Sequence, residues 1–567
     1  MRKAIGILAV LLAVVTALSG CSKYPTHKMS GSVDYSFAVT SQGGAAVQLG
    51  RYVYYINGQK EIYDEDGKQN VFGKVQKGGI YRSELSYLGE VVIGSDQKSQ
   101  NGKLLVSDPY YGDYYTFVQP DSPLDKKISG FKQETPAYDA DGEAALDDDE
   151  LPIFLIDADP LVNKLATNGK DVTGGLFIFD EWLYFCSPSN LKSKNGVVQY
   201  GHVEFYRTKL DGSKTQFIYR TSTDPTDTAN GCVSYGYYKY DGKVYLNVFE
   251  QDLGTVVSVA MTDKKTGRAK TIVTDATEVF FPRKDVYYKG MNENTLEDFV
   301  YFTRRATKDD KPSSGTVVSR IRPDGDKKSA LILFNNGLEV SVVDIKQGAM
   351  FFTQVETTGM SAMYATDLGG FVLSHDWDDE KAPLTGGGAV QLVEFGNTDF
   401  SPSGNLSNIY PMVVFTIESQ TGSIFRSYYL LATNAGKTVC IDAIGNQYPV
   451  LDTAAVVLAA DNNYFYYATS DSETAVVYRA SFAGVTSGVV QTGVQIIESS
   501  VVCGGFLPID LCAGRLFFIN PFTEIAGYPD DPTELYLHTV RLTGRGGETE
   551  FFIGRIDDAD IPEEEEE

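Results

Sequence analysis

Short apolar runs separated by Gly, Asp and Asn recur along almost the whole chain. The runs are rich in Tyr, Phe and Val, which favour β-strands, and the residues between them are typical of tight turns. After the first twenty residues, no long segment repeats its apolar positions at the helical period of about 3.6 residues. The pattern therefore predicts an all-β protein built from many short strands.

A three-residue apolar or aromatic strand core occurs eight times. From the second copy onward, the middle residues of these cores are 50 to 63 residues apart. The eight middle residues are Tyr54, Tyr184, Tyr245, Tyr301, Phe351, Val414, Tyr466 and Phe517. Repetition at such an interval indicates a repeat architecture in which each unit packs on its neighbours.

A second strand follows most cores and ends in a turn, as at Tyr206-Arg207 before Asp211-Gly212. Asp-Gly supplies the positive φ that a two-residue hairpin needs. A unit of this length holds four strands of about six residues, which is the size of a propeller blade. The sequence predicts a single β-propeller over residues 33–556, with about eight blades or, as the alternative, seven. Residues 33–39 are expected to join the last blade and close the ring.

The N-terminus has the features of a secretory signal peptide. Arg2 and Lys3 precede an apolar run over residues 4–17, which is shorter than the about 20 residues of a membrane-spanning helix. The following Leu18-Ser19-Gly20-Cys21 resembles the lipobox of bacterial lipoproteins. The resemblance implies that residues 1–20 are removed and that Cys21 carries acyl chains such as palmitate. Residues 21–32 would then tether the domain outside the cytoplasm, at the cell membrane or the outer surface of a one- or two-membrane envelope.

The propeller units also resemble a known group. Lys209-Leu210-Asp211-Gly212-Ser213 is the clearest match to the strand-and-turn repeat of TolB-like and related bacterial envelope proteins. This resemblance implies the propeller fold. It does not specify an activity, because propellers serve as enzymes, sensors and scaffolds.

The chain is strongly acidic, with a formal net charge of −26. Nucleic-acid binding relies on Lys and Arg at the phosphates, so this charge argues against a nucleic-acid partner. Part of the excess is local, in an acidic loop at residues 139–150 and in the tail at residues 557–567. The tail is predicted to be solvated and disordered.

Catalytic and metal-binding patterns are sparse. The four His residues form no zinc motif, and no Gly-x-Ser-x-Gly nucleophile motif occurs. Asp64-Glu65-Asp66-Gly67 and Asp139-Ala140-Asp141-Gly142 place Gly fourth rather than sixth, so solvated turns are favoured over Ca²⁺ loops. The sequence assigns no catalytic residue, metal or cofactor. Cys503 and Cys512 can form a local disulfide or be buried thiols.

Two aromatic segments are candidates for ligand binding. Tyr110, Tyr111, Tyr114 and Tyr115 form the first, and Trp377, within an acidic loop, forms the second. Exposed aromatic rings stack on sugars or anchor protein partners. The alternatives are that the Tyr residues fill the core of a strand pair and that Trp377 packs on the propeller rim.

These features predict an envelope-anchored, non-enzymatic lipoprotein that binds or scaffolds a protein or a glycan. The alternative is a carbohydrate-active enzyme, a glycoside hydrolase or lyase, with Asp and Glu from three or more blades converging on the channel. A transporter-associated solute-capture protein would need a two-lobe α/β fold, which the β repetition disfavours. The membrane is contacted through the lipid, and the sequence does not specify an oligomeric state.

Overall fold

A computed structural model gives the fold of the chain. It describes residues 37–56, 80–84, 103–106, 117–118, 134–136, 154–156, 175–188, 191–192, 198–199, 203–221, 233–355, 361–368, 390–395, 406–417, 424–442, 446–460, 463–469, 474–482, 489–495, 501–502, 510–512, 515–520, 536–541 and 550–551, except positions 45, 283, 285, 292–294, 347 and 476. The predicted signal peptide (residues 1–20), the predicted tether (residues 21–32) and the predicted acidic tail (residues 557–567) lie outside these residues.

The described residues confirm an all-β protein. They form 41 strands and three single-turn 3₁₀ helices, at Gln251–Leu253, Leu296–Asp298 and Lys327–Ser329. Among the described residues, no helix has the length and apolar character needed to cross a membrane.

The first strands form a six-stranded antiparallel sheet, here called the N-terminal sheet. It consists of β1 (Val39–Thr40), β2 (Ala46–Leu49), β3 (Tyr52–Ile56), β4 (Ile80–Glu84), β5 (Lys103–Val106) and a strand from much later in the chain, β20 (Val286–Tyr287). A small sheet follows, made of β6 (Phe117–Val118), β7 (Glu134–Pro136) and β8 (Phe154–Ile156).

Seven four-stranded antiparallel sheets, here called blades 1 to 7, follow within the described residues. Blade 1 contains β9 (Phe177–Phe179), β10 (Trp182–Pro188), β13 (Val203–Lys209) and β14 (Thr215–Arg220), with β11 (Leu191–Lys192) and β12 (Val198–Gln199) as a separate ribbon. Blade 2 contains β15 (Val233–Tyr240), β16 (Lys243–Glu250), β17 (Thr255–Met261) and β18 (Lys270–Val273). Blade 3 contains β19 (Glu278–Phe280), β21 (Val300–Arg305), β22 (Thr316–Ile321) and β23 (Leu331–Phe334).

The later blades repeat this arrangement. Blade 4 contains β24 (Val340–Lys346), β25 (Ala349–Val355), β26 (Ser361–Asp367) and β27 (Val390–Phe395). Blade 5 contains β28 (Leu406–Ile417), β29 (Ile424–Asn434), β30 (Lys437–Asp442) and β31 (Gln447–Leu451). Blade 6 contains β32 (Ala455–Ala460), β33 (Tyr464–Thr469), β35 (Val477–Ser481) and β36 (Val494–Gln495), beside a ribbon of β34 (Thr474–Ala475) and β37 (Val501–Val502). Blade 7 contains β38 (Asp510–Cys512), β39 (Arg515–Asn520), β40 (Tyr536–Arg541) and β41 (Glu550–Phe551).

Contacts between successive sheets confirm a single propeller. β22 of blade 3 contacts β24 of blade 4, and β28 of blade 5 contacts β32 of blade 6. β2 contacts both β9 of blade 1 and β38 of blade 7, so the N-terminal sheet lies between the first and last blades. Blades that pack on neighbours in this way bury apolar residues on both faces.

The number of four-stranded blades favours the seven-blade alternative over eight. The unit around Tyr54 belongs instead to the larger N-terminal sheet, because β1 and β20 extend its edge. Six of the other predicted cores lie in the second strand of their blade, and Val414 lies in β28, the first strand of blade 5.

The early strand predicted to close the ring, residues 33–39, is described only at residues 37–39, and the pairing of Val39 there differs from the prediction. This residue does not join blade 7. It lies opposite Leu49 of β2 and Tyr287 of β20. The reason is a competing set of contacts: the main chain of Gly43 and Gly44 pairs with Leu176, next to β9, which holds this segment beside blade 1.

A repeated cation–π contact accompanies the strand cores. In four sheets an Arg lies directly opposite the core Tyr and stacks on the aromatic residue two positions before that Tyr. The distances from the guanidinium carbon to the ring centroid are 4.3 Å for Arg82 on Tyr52, 4.1 Å for Arg207 on Trp182, 3.9 Å for Arg320 on Phe299 and 4.5 Å for Arg479 on Tyr464. Arg207 also donates from Nη2 to the carbonyl oxygen of Thr262 in blade 2, at 2.8 Å. In blade 1, the repeated contact therefore also connects neighbouring blades.

The described cysteines, Cys186, Cys440 and Cys512, are buried. Cys503 lies outside the described residues, so the local disulfide with Cys512 stays a prediction. Burial raises the pKa of Cys186 and of Cys440 to about 12. Both are therefore protonated near neutral pH and suit a packing role.

Candidate functional site

A cavity of about 400 Å³ lies where the N-terminal sheet meets blades 1, 2 and 3. Its walls include Val39 and Leu49 of the N-terminal sheet, Tyr184 of blade 1, Val244 of blade 2 and Tyr287 of β20. This volume is within the range of small-molecule binding pockets, about 300–1,000 Å³. We call it the axial cavity.

The pairing of β1 with β20 locates this cavity near the propeller axis. β20 belongs to the connection between β19 and β21 of blade 3, whereas β1 belongs to the N-terminal sheet. These two units are separated in the ring by blades 1 and 2. Because blades radiate from a central channel, units that are not neighbours approach each other only near its axis.

The turns that line the cavity place it at one face of the propeller. Asp180-Glu181 joins the first two strands of blade 1, Asp241-Gly242 joins the first two of blade 2, and Thr262 follows its third strand. In an antiparallel sheet these connections lie at the same end. Asp180 and Asp241 have φ of 54° and 48°, a left-handed conformation that Asp tolerates better than most residues.

The floor of the axial cavity is apolar and aromatic. Its side chains, all buried, are Val39, Leu49, Tyr184, Val244, Met261 and Tyr287. The Phe179 ring connects two of them, with its centroid 4.9 Å from that of Tyr287 and 6.0 Å from that of Tyr184. Burial raises the pKa of Tyr184 well above its usual range, so its hydroxyl is neutral at physiological pH.

The rim of the axial cavity is charged and carries exposed aromatic rings. Glu181, Asp263 and Lys289 are exposed there. Phe37 and Tyr288, with 55% and 47% of their surface exposed, stand beside them. Exposed aromatic side chains around a pocket are typical of a binding surface.

Lysines pair with two of the three carboxylates that line the axial cavity. Lys239 of β15 forms an ion pair with Asp180. Lys209 of β13 lies 2.6 Å from Glu181, measured from Nζ to Oε2, and its ammonium stands 4.4 Å from the Trp182 ring centroid. These pairs fix the carboxylates as hydrogen-bond acceptors at the cavity wall.

A second, much smaller cavity adjoins the first, and Lys239 and Tyr287 line both. Its volume is about 30 Å³, which is the volume of about one water molecule. Tyr237 and Tyr238 line it. Within the described part of the chain, their buried hydroxyls have no hydrogen-bond partner. The size of this cavity suits a water molecule rather than a ligand.

The residues predicted from the sequence to bind ligand or lipid are not tested here. Cys21, Tyr110, Tyr111, Tyr114, Tyr115 and Trp377 all lie outside the described residues. The sequence analysis did not predict the axial cavity, because it identified Tyr184 only as the middle residue of a repeated strand core. The adjacent pair Tyr287-Tyr288, in a connection rather than a repeat core, was the one available signal.

The described residues contain no cluster of three or more His, Cys, Asp or Glu side chains suited to hold a metal ion. No family model matches the chain, and no curated protein matches its sequence.

Solved structures resemble the chain only distantly. Oligopeptidase B from Trypanosoma brucei, with covalently bound antipain, has 8% identity and a TM-score of 0.36, over 67% of this chain and 49% of that one. Prolyl oligopeptidase B from Galerina marginata, bound to a 35-residue substrate, has 11% identity and a TM-score of 0.34, over 66% and 52%. Dihydro-heme d1 dehydrogenase NirN has 10% identity and a TM-score of 0.31, over 72% and 66%. The chain thus matches about half the length of the two peptidases, and such likeness carries no inference about activity.

Proposed function

We propose that this chain is a lipid-anchored envelope protein that binds a partner through the axial cavity without catalysing a reaction. The observation that carries the proposal is an apolar floor inside a charged, aromatic rim. In binding pockets, apolar surface supplies most of the affinity, and a few polar groups fix orientation. Of the two partners considered, a protein fits better than a glycan. Leu49, Val244 and Met261 offer no hydrogen bonds to sugar hydroxyls but accommodate an apolar side chain.

The carboxylates at the axial cavity support binding over hydrolysis. Asp180 and Glu181 are neighbours on blade 1, and Asp263 follows β17 of blade 2. The carboxylates described at this cavity therefore come from two blades. The alternative, a carbohydrate-active enzyme, predicts Asp and Glu side chains from three or more blades. Two of the three are paired with lysine. This arrangement suits orientation of a partner better than proton transfer.

Removal of the lipidated thiol tests the anchor. We expect Cys21→Ser to move the protein from the membrane fraction to the soluble fraction and to abolish incorporation of a palmitate analogue. Stable attachment needs at least two acyl chains, each contributing about 0.8 kcal/mol per buried methylene. Cys232→Ser is the control and should leave both properties unchanged. A Cys21→Ser protein that remains in the membrane fraction would contradict the anchor.

Truncation of the rim aromatic tests the binding site. Residues 22–567, fixed on beads and incubated with solubilised envelope from the source cell, should retain a stoichiometric protein. Tyr288→Ala should then weaken its affinity by about thirtyfold, the effect of a hot-spot side chain of about 2 kcal/mol. Calorimetric titration with the purified partner measures the change.

Leu253→Ala provides the matched control for that experiment. Leu253 is similarly exposed, at 53%, but follows β16 at the other end of the blade. Its truncation should leave the affinity unchanged. Equal losses of affinity for both variants would show that the partner does not bind at the axial cavity. Turnover of a polysaccharide by the soluble protein would favour the carbohydrate-active enzyme instead.

A further inference from the structure

Lys239 is the most buried charged side chain in the two ion pairs at the axial cavity. Its side chain is 14% exposed, against 32% for its partner Asp180 and 56% for Glu181. Lys239 lies in β15, the strand at one edge of blade 2, and it lines both the axial cavity and the small cavity. Because bulk water reaches only a small part of this side chain, the hydrogen bonds of its ammonium depend on what fills the two cavities.

The Lys239 ammonium has more donors than the protein uses. A protonated amine carries three N–H donors and no acceptor. Among the described residues, its one hydrogen bond goes to Oδ2 of Asp180. A water molecule in the small cavity, beside the buried hydroxyls of Tyr237 and Tyr238, can accept a second bond. At least one donor is left for a group in the axial cavity.

The other charged side chains at the axial cavity balance one another. Glu181 is paired with Lys209. Asp263 and Lys289 have opposite signs, and both are exposed, so water and salt screen them. These four side chains together carry no net charge, and they therefore do not select a ligand of either sign.

We propose that Lys239 donates a hydrogen bond to a neutral carbonyl oxygen of the partner, beside the apolar side chain that enters the floor. Asp180 already balances the ammonium, and a carboxylate in this position would also lie close to the carboxylate of Asp180. A peptide segment carries a neutral main-chain carbonyl next to every side chain. This inference rests on the proposed function and adds the polar contact by which the site recognises a peptide.

The unused donor of Lys239 makes the site selective. An apolar group that enters the floor displaces water, and the donor then has no acceptor unless the ligand supplies one. A buried donor without a partner costs free energy, and a hydrogen bond to a charged group contributes more than a bond between neutral groups. The site should therefore disfavour apolar ligands that lack a carbonyl group.

Three small probes that share a phenyl group test this contact. N-acetylphenylalanine methylamide has two neutral carbonyl groups, N-acetylphenylalanine has a carboxylate in place of one of them, and propylbenzene has no acceptor. Saturation-transfer NMR titration of the purified full chain gives a dissociation constant for each probe. The wild-type protein should bind the methylamide more tightly than N-acetylphenylalanine.

A double variant, Lys239→Met with Asp180→Asn, removes the donors and keeps both an apolar stem and a neutral pair. We expect it to bind the methylamide at least tenfold more weakly, and to bind propylbenzene equally well or more tightly. Lys437→Met with Asp452→Asn is the matched control, because this ion pair lines neither cavity. It should leave the affinity for all three probes unchanged.

Asp180→Asn alone tests the charge argument independently of the double variant. It leaves the Lys239 ammonium without its balancing carboxylate. N-acetylphenylalanine should therefore gain at least fivefold in affinity relative to the methylamide. The absence of this gain would show that Lys239 does not contact the acceptor of the ligand.

The outcomes separate this inference from the proposed function. Failure of all three probes to bind the wild-type protein would contradict the apolar floor as a binding site, on which the proposed function depends. Binding of the probes with an unchanged methylamide affinity in the double variant would overturn the Lys239 contact alone. Tighter binding of N-acetylphenylalanine than of the methylamide by the wild-type protein would overturn the neutral acceptor. If the double variant also loses propylbenzene, its floor has changed, and the result for Asp180→Asn decides instead.

Discussion

Replacing Trp182 by alanine is expected to lower the free energy of unfolding by about 3–5 kcal/mol, the cost of removing a large buried aromatic side chain. Trp182 is the first residue of β10 and only 1% of its surface is exposed. Its ring lies 4.1 Å from the Arg207 guanidinium carbon and 4.4 Å from the Lys209 ammonium. The substitution leaves a cavity and also removes the aromatic surface on which both cations stack.

The loss of the Trp182 ring also affects the contact between blades 1 and 2, because Arg207 bonds to both. Arg207 is 1% exposed, donates from Nε to Gln216 at 3.0 Å and donates to the Thr262 carbonyl of blade 2. Without the Trp182 ring, this buried guanidinium loses the surface that positions it for both bonds. The Lys209–Glu181 pair at the cavity rim loses the same support. We therefore expect lower stability together with weaker partner binding.

Chemical unfolding monitored by circular dichroism measures the change in stability. Trp182→Phe is the matched control, because Phe299 occupies the equivalent position beneath Arg320 in blade 3. A phenylalanine ring keeps the cation–π contact, so this variant should lose much less stability than Trp182→Ala. Equal losses for the two variants would show that the stacked ring does not stabilise the blade as argued.

The strand cores could be predicted from the sequence because each is a local pattern. Tyr184, Tyr245 and Tyr301 lie in the second strands of blades 1, 2 and 3, as a regular repeat requires. Val414 does not, because blade 5 has two consecutive long aromatic strands. β28 has 12 residues and β29 has 11, and both match the same local pattern. Local patterning alone cannot say which of them is the second strand.

The N-terminal sheet and the axial cavity depend on long-range contacts. β1 pairs with β20, which lies almost 250 residues further along the chain. Asp180, Val244 and Tyr287 meet at one cavity although each resembles an ordinary turn or strand residue. Hydrophobic periodicity shows that a residue is buried, but not which end of its strand lies near the axis. The fold class was therefore predictable, whereas the site was not.

Replacing Gln42 by alanine should detach residues 37–44 from blade 1 and lower the free energy of unfolding by about 2–6 kcal/mol. Gln42 is only 2% exposed. Its Nε2 donates to the Ile178 carbonyl at 2.6 Å, and its Oε1 accepts from the Ile178 N–H at 2.8 Å. The Gln42 side chain thus pairs with both main-chain polar groups of Ile178 in β9, as a neighbouring strand would. Each group left buried without a partner costs about 1–3 kcal/mol.

Gln48 provides the matched comparison for this variant. It lies in the same sheet, is half-buried, and makes bonds only within its own sheet, to Thr40 and to the carbonyl of Gly50. Gln48→Ala should therefore cost less than about 1 kcal/mol, because water can replace partners near the surface. Gln42→Glu should not rescue Gln42→Ala, since an ionised carboxylate has no donor for the Ile178 carbonyl.

Unfolding and limited proteolysis of the three variants measure these effects. Gln42→Ala should unfold at lower denaturant than Gln48→Ala and be cleaved faster within residues 37–44. Because this segment carries Phe37 and Val39 at the axial cavity, its release should also weaken partner binding. Indistinguishable stability and cleavage of the Gln42 and Gln48 variants would show that the Ile178 bonds do not hold the segment.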